Sequence, residues 1–196
     1  EHLYLNEAEN SLVFVDGHYS PELSKIVDQA ALVIGNLPEF LSTHSATLEC
    51  HLGQYATFEN NVFSALNTAF LRDAALILVP KNVSVTRPIH LLFIATQQEV
   101  TSYPRCLLIG ETGSNVTIIE DYVALQDATY ITNSVTEISL AANAHARHIR
   151  VQRENTQAFH FANCAVSLAH ASHYQSASIS LGSHISRYNL DVRLLD

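Results

Sequence analysis

The sequence predicts a mainly β protein: a parallel β-helix preceded by a small N-terminal α/β part made of a hairpin plus helices. Two observations carry this. From Ala74 onward, short apolar runs follow one another with gaps of only a few residues: Ala75–Val79, Ile89–Ala95, Cys106–Ile109, Val116–Ile119 and Tyr122–Leu125. Near-continuous apolar runs suit strands buried on both faces, as in a parallel sheet. The gaps are too short for the crossover helices of an α/β fold. The second observation is a repeat. Leu140-Ala141-Ala142-Asn143-Ala144-His145 and Leu168-Ala169-His170-Ala171-Ser172-His173 are similar steps 28 positions apart, and a looser echo, Leu108–Gly113, lies 32 positions before Leu140. Such a period fits a coiled sheet whose turns bury their apolar faces on one another. An antiparallel sandwich is the competing architecture.

The elements follow in order. Leu12–Val15, Asp16-Gly17 and His18-Tyr19 form a hairpin signal, because Asp-Gly favours the positive φ angles of a type I′ turn. Pro21 opens a different regime, helical or irregular over 22–34 and broken by Gly35-Asn36-Leu37-Pro38. Between Ala56 and Phe70, the residues Phe58, Val62, Leu66, Ala69 and Phe70 recur at helical spacing, which predicts an amphipathic helix packed on the core. These readings divide the chain into residues 1–72, the hairpin and helical part, and 73–196, the β-helix core. Alternation over Tyr130–Leu140 predicts a strand with one wet face. Later strands are expected at Ala146–Gln152, Phe161–Leu168, Tyr174–Leu181 and Tyr188–Leu195.

A chain of 196 residues, 47% hydrophobic and 15% charged, can build a sizeable core. Its net charge of −9 argues against nucleic acid, whose phosphates demand a basic footprint. Residues 1–140 hold sixteen acidic and five basic side chains, whereas 141–196 hold three acidic and five basic. That asymmetry marks the C-terminal region for an acidic partner or another subunit; a merely less acidic sheet face is the alternative. Cys50, Cys106 and Cys164 are odd in number and lack a C-x-x-C pair, which suits reduced, cytoplasmic thiols. No apolar run is long enough for a transmembrane helix, and no signal-peptide pattern opens the chain. A start at Glu1 and the absence of methionine read as a piece of a longer protein.

Candidate chemistry is sparse. His145 and His148 are three apart, so on a strand they face opposite ways; His170 and His173 repeat the spacing. These histidines read as surface or ladder residues, and a shared metal would require convergence from different coils. His160 and Cys164 are the one metal-ligand candidate pair, a thiol and an imidazole on one strand face. At i and i+4 they stand ~13 Å apart, which favours a buried inert thiol. Glu120-Asp121 look like turn residues facing opposite sides. No phosphate loop and no nucleophile elbow is present. A His-rich all-β metalloenzyme of cupin or β-helix type remains the alternative. The cupin version lacks its H-x-H element, and a carbohydrate-processing β-helix lacks clustered carboxylates.

Specific segments carry a resemblance. Phe63–Asp73 with Ala75-Leu76-Ile77 and Val79–Val83 is similar to the SufB/SufD family of the SUF iron–sulfur cluster assembly system. So are Val116–Glu120, Arg153-Glu154-Asn155, Ala158–Phe161 and Ser180–Ser183, with Arg187 and Asn189. The similarity covers nearly the whole chain and is closer to the SufD branch than to the SufB branch. It implies a right-handed parallel β-helix that catalyses nothing itself. It further implies pairing with a SufB-like subunit and a SufC-like ATPase, with the Fe–S cluster at an interface of the full complex. The family's C-terminal helical region and later coils, which carry its Cys and His residues, have no counterpart here. The chain therefore reads as an internal fragment binding no cofactor of its own. Arg187 and Asn189 are its partner-facing candidates, and the last strand, near Tyr188–Leu195, leaves an open edge suited to self-association.

Overall fold

The computed structural model describes residues 10–27, 32–59 and 61–195. Over these residues the elements run β1 (Asn10–Val15), β2 (His18–Tyr19), β3 (Val33–Asn36), α1 (Leu37–Thr43), α2 (Ser45–His51) and α3 (Val62–Ala69). They continue through β4 (Ala75–Val79), β5 (Ile89–Ala95), β6 (Thr101–Ser102), β7 (Arg105–Gly110), β8 (Asn115–Ala124) and β9 (Ile131–Leu140). The last four are β10 (His145–Arg153), β11 (Phe159–Leu168), β12 (His173–Ser180) and β13 (Ile185–Leu194). From β4 onward, the main strands alternate between two sheets, ordered β12-β10-β8-β5-β1-β2 and β13-β11-β9-β7-β4-β3. All the pairings are parallel except β1–β2 and β3–β4. That is a β-helix of stacked coils. It rules out both the sandwich and the cupin barrel, whose sheets are antiparallel.

Register explains the repeat. Leu140 lies opposite Leu168 and His145 opposite His173, at the expected 28-residue step. The earlier echo is offset: Gly110, not Leu108, lies opposite Leu140, so that coil advances by 30 residues instead of 32. The corners after β4, β7, β9 and β11 each place one residue in the left-handed region: Asn82 (φ 60°), Gly113 (69°), Asn143 (58°) and Ala171 (53°). Main-chain bonds then tie corner to corner, from Asn82 N–H to Thr112 O (2.9 Å), Gly113 N–H to Ala142 O (3.0 Å) and Asn143 N–H to His170 O (3.1 Å). Gly113 has a second reason to be glycine, because a Cβ there would sit 2.5 Å from Asn82 Oδ1.

The hairpin forms as expected, with Asp16 at φ 49° and Gly17 at 86°. Three local expectations are corrected. Gly35-Asn36 do not break a helix; they end β3, and Asn36 caps α1 by accepting from Glu39 N–H, with Pro38 in the first turn, where its missing donor costs nothing. Val116–Ile119 and Tyr122–Leu125 are not two strands, since β8 runs unbroken from Asn115 to Ala124 with Glu120 and Asp121 buried at its centre instead of in a turn. The face of β9 expected to be wet is covered, and seven consecutive residues of this strand are buried.

What covers β9 also overturns the reading of the amphipathic stripe. The helix α3 exists, capped by Asn61, whose side chain accepts from Phe63 N–H and Ser64 N–H. However, it buries Ser64 and Asn67 and turns Val62 and Leu66 outward; with Phe58 before it and Phe70 at its C-cap, these side chains are 39–65% exposed. Polar side chains on the outer face of the sheet decide this. Asn67 donates to Pro104 O (2.9 Å) and Asn133 O (2.8 Å) and accepts from Arg105 Nη1 (3.0 Å). Arg105 also pairs with Glu137, and Glu137 accepts from the main-chain N–H groups of Gly53, Tyr55 and Ala56. Satisfying a buried guanidinium and carboxylate outweighs burying four apolar side chains, because an unpaired buried charge costs several kcal/mol. The outward rings are partly used locally, Phe70 stacking on Tyr103 and Phe63 on Phe161.

Glu137→Ala would strand Arg105 and three main-chain donors, and an unfolding free-energy loss of about 3–5 kcal/mol is expected in urea titration. Val62→Ala, on the exposed stripe, should change stability by no more than about 0.5 kcal/mol. A large loss from Val62→Ala with little from Glu137→Ala would contradict this docking scheme.

Candidate functional site

Inside the β-helix the side chains change character along the axis. The coils built on β1, β4, β5 and β7 fill the space between the sheets with Leu12, Phe14, Ile77, Leu91, Phe93 and Leu108. Further along, the same inward positions carry Glu120 and Tyr122 on β8, His148, Arg150 and Gln152 on β10, and His160 and Cys164 on β11. All of these are at most 2% exposed. Parallel register sets Glu120 beside Arg150 and Tyr122 beside Gln152 on neighbouring rungs.

Two linked clusters result. In the first, Glu120 accepts from Thr136 Oγ1 (2.6 Å) and Tyr122 O–H (2.9 Å) and lies 3.3 Å from His148 Nε2. His148 Nδ1 meets Tyr174 Oη at 2.9 Å, and Cys164 Sγ lies 3.8 Å from the same oxygen. In the second, Glu154 binds His160 Nδ1 (2.5 Å), Thr132 Oγ1 (2.6 Å) and Gln152 Nε2 (3.1 Å). Arg150 lies between them, its Cζ 5.4 Å from the Tyr122 ring centre and 5.0 Å from that of Tyr188. Burial alone would raise the Glu120 carboxyl, but the His148 charge and three hydrogen bonds outweigh it and hold it down to about 2. Burial would lower His148, but Glu120 pushes it up to about 10. For His160 burial prevails over Glu154, so its imidazole is lowered and, at neutral pH, donates from Nδ1 to the Glu154 carboxylate. Burial likewise pushes the Cys106 thiol well up, away from the reactive thiolate.

Each expected residue now has a place. His160 and Cys164 both face the interior of β11 but serve different clusters, His160 with Glu154 and Cys164 with Tyr174. Among the described residues, no three His, Cys, Asp or Glu converge as a metal site. His145 and His148 do face opposite ways. His145 is exposed and stacks on His173, whereas His148 is wholly buried, as is His160, so neither of those two is a surface residue. His170 lies in a corner, not on a strand. Arg187 and Asn189 stand on β13, both exposed; Asn189 donates to Asn163 Oδ1 (3.0 Å), which Asn61 also approaches (2.8 Å). Sequence reasoning missed Glu120, Glu154, Arg105 and Glu137. Only Glu120 carried a signal of an inward position, a charged residue in mid-strand with apolar Ile118 and Tyr122 at i±2. All three cysteines are free. No helix among the described residues is long and apolar enough to cross a membrane.

The arrangement is thus a β-helix with a helical flank, and among the described residues no three metal-ligating side chains converge. Comparison with known proteins supplies the family. The description "SUF system FeS cluster assembly, SufBD core domain" matches residues 93–196, and "SufBD protein N-terminal region" matches residues 6–91. The chain belongs to the SufBD family of SUF-system iron–sulfur cluster assembly proteins. It is 37% identical to an iron–sulfur cluster assembly SufBD family protein of Synechocystis over 204 residues, covering 98% of this chain and 45% of that protein. It is 29% identical to the iron–sulfur cluster assembly protein SufD of Escherichia coli over 187 residues, covering 93% of this chain and 42% of that one. A SufBD family protein of Staphylococcus saprophyticus is 24% identical over 157 residues, covering 76% and 34%. The chain thus spans less than half the length of these relatives.

The two clusters make stability depend on pH. A depressed carboxyl such as Glu120 stabilises the fold above its unfolded value of 4.5 and loses that contribution as pH falls toward 2. His160, also depressed, stabilises above 6.5 and loses this as pH falls. His148, raised, stabilises below 6.5 and loses this as pH climbs toward 10. Unfolding free energy should therefore peak near neutrality. Its decline between pH 6.5 and 9 should approach about 1.4 kcal/mol per pH unit. His148→Gln should flatten that alkaline decline, and an unchanged slope would remove His148 from the account.

Proposed function

We propose that this chain is a non-catalytic scaffold region of the SUF iron–sulfur cluster assembly machinery, of the SufD type. In the whole protein it would pair with a SufB-like subunit and a SufC-like ATPase, with the cluster built at an interface of the assembled complex. The observation that carries this is the interior. Its buried carboxylates are held by hydrogen bonds and histidine partners, Glu120 by Thr136, Tyr122 and His148 and Glu154 by His160, Thr132 and Gln152, which supports a structural role for them. The SufD name of one relative supports the branch. On this reading residues 1–72 form a hairpin and helical part and 73–196 a β-helix core. Arg187 and Asn189 face a partner, and the protein works in the cytoplasm.

Co-expression of the full-length parent protein with its SufB-like and SufC-like counterparts tests the assignment. Co-elution as one complex in size-exclusion chromatography is expected, together with loss of cluster formation when the parent is left out. Elution of the parent alone, or substrate turnover by the isolated parent, would overturn it. The chain itself should associate through the unpaired edge of β13, where Leu190, Val192 and Leu194 are 40–75% exposed. Light scattering at high concentration should report more than one copy; a strict monomer would count against the edge.

A further inference from the structure

The outer face of the sheet that contains β8, β10 and β12 carries a column of side chains in register: Asn115, His145 and His173, one per rung. The two imidazoles are exposed and stack nearly parallel, with ring centres 4.6 Å apart and planes inclined by 19°. They line a shallow groove of about 650 Å³ together with Thr117, Arg147 and Gln175. This convergence is a product of coiling. His145 and His173 are 28 residues apart in sequence, and the parallel register brings them to adjacent rungs.

We propose that His145 and His173 form a two-imidazole binding site for a late first-row divalent ion of the Zn²⁺, Ni²⁺ or Cu²⁺ type. The physical case has three parts. Imidazole nitrogens suit these ions, at metal–nitrogen distances of ~2.0–2.1 Å. Two such bonds to one tetrahedral ion need nitrogens about 3.3 Å apart. The rings stack with centres 4.6 Å apart, and rotation of the two exposed side chains about their χ angles is what turns one nitrogen of each toward a shared ion. The backbone needs no change, because the ladder fixes both Cα atoms on neighbouring strands about 4.8 Å apart. Water completes the coordination, and the Asn115 side-chain oxygen, next in the column, is within one rung.

The surroundings set the selectivity. Arg147 borders the groove, its Nε donating to Gln175 Oε1 at 3.1 Å, and no carboxylate lines the groove. Charge attraction therefore contributes nothing, and only ions that gain from nitrogen donation are held. Mg²⁺ and Ca²⁺, which require several oxygen ligands, are excluded. This site is independent of the assembly role proposed above, since it lies on the outer face and shares no residue with the buried clusters.

The test uses the chain purified without a polyhistidine tag and titrated calorimetrically with Ni²⁺, Zn²⁺ and Mg²⁺. One Ni²⁺ or Zn²⁺ per chain is expected, and no Mg²⁺. H145A and H173A should each weaken that binding at least roughly tenfold, and both leave the fold intact because neither ring is buried. Addition of Cu²⁺ should broaden the NMR signals of Thr117 and Gln175 before those of the interior. H18A, a change at an exposed histidine elsewhere, should alter nothing. Failure of the parent chain to bind Ni²⁺ or Zn²⁺, or unchanged affinity in H145A and H173A, would overturn the proposal.

Discussion

The in-register parallel hydrogen-bond ladder is the constraint on which every other feature of this protein depends. Each coil lies about 4.8 Å from the next, so any position repeats itself along the axis as a column of side chains. A column facing inward must be compatible with the residues directly above and below it. Leu140 above Gly110 and beneath Leu168 satisfies this by size. Glu120, met by His148 from the next coil and one residue along from a buried Asp121 held by Arg153, satisfies it by charge. The corners obey the same rule, because the left-handed residues at Asn82, Gly113, Asn143 and Ala171 must stack for the main-chain bonds between corners to form.

Ionic side chains enter this structure in two ways with different consequences. Within the coils, Glu120 with His148 and Glu154 with His160 replace apolar packing by directional bonds, which fixes register more strictly than interchangeable aliphatic side chains can. Outside the coils, Arg105 and Glu137 act as an anchor. They hold the segment around Tyr55 and the helix α3 against the sheet, and in doing so they dictate which face of that helix is outward. Asp73 plays a smaller part of the same kind, accepting from the main chain of Tyr19 and Leu37 and so joining the hairpin to the first helix.

Membership of the SufBD family and this architecture fit one another. The relatives are named for iron–sulfur cluster assembly, and the chain combines long parallel sheets with a helical flank. Its outward columns, such as His145 and His173, bring together residues from different coils just as the inward ones do.

The strands, their parallel order and the hairpin were legible in the sequence because they depend on local quantities. Continuous apolar runs, Asp16-Gly17 and a 28-residue repeat each report on their immediate neighbours in space as well as in the chain. The exposed stripe of α3 was not legible, since Phe58, Val62, Leu66 and Phe70 carry the ordinary signature of a core-facing helix. Only the tertiary structure places Arg105 and Glu137, 38 and 70 residues beyond Asn67, beneath that helix, where their unmet hydrogen bonds claim its polar side. The pairing of His160 with Glu154 instead of Cys164, and the meeting of His145 with His173, were decided the same way. Sequence determines which residues lie on one face of a strand. The rise of each coil determines which residues from different strands touch, and that distance is written nowhere in a single segment.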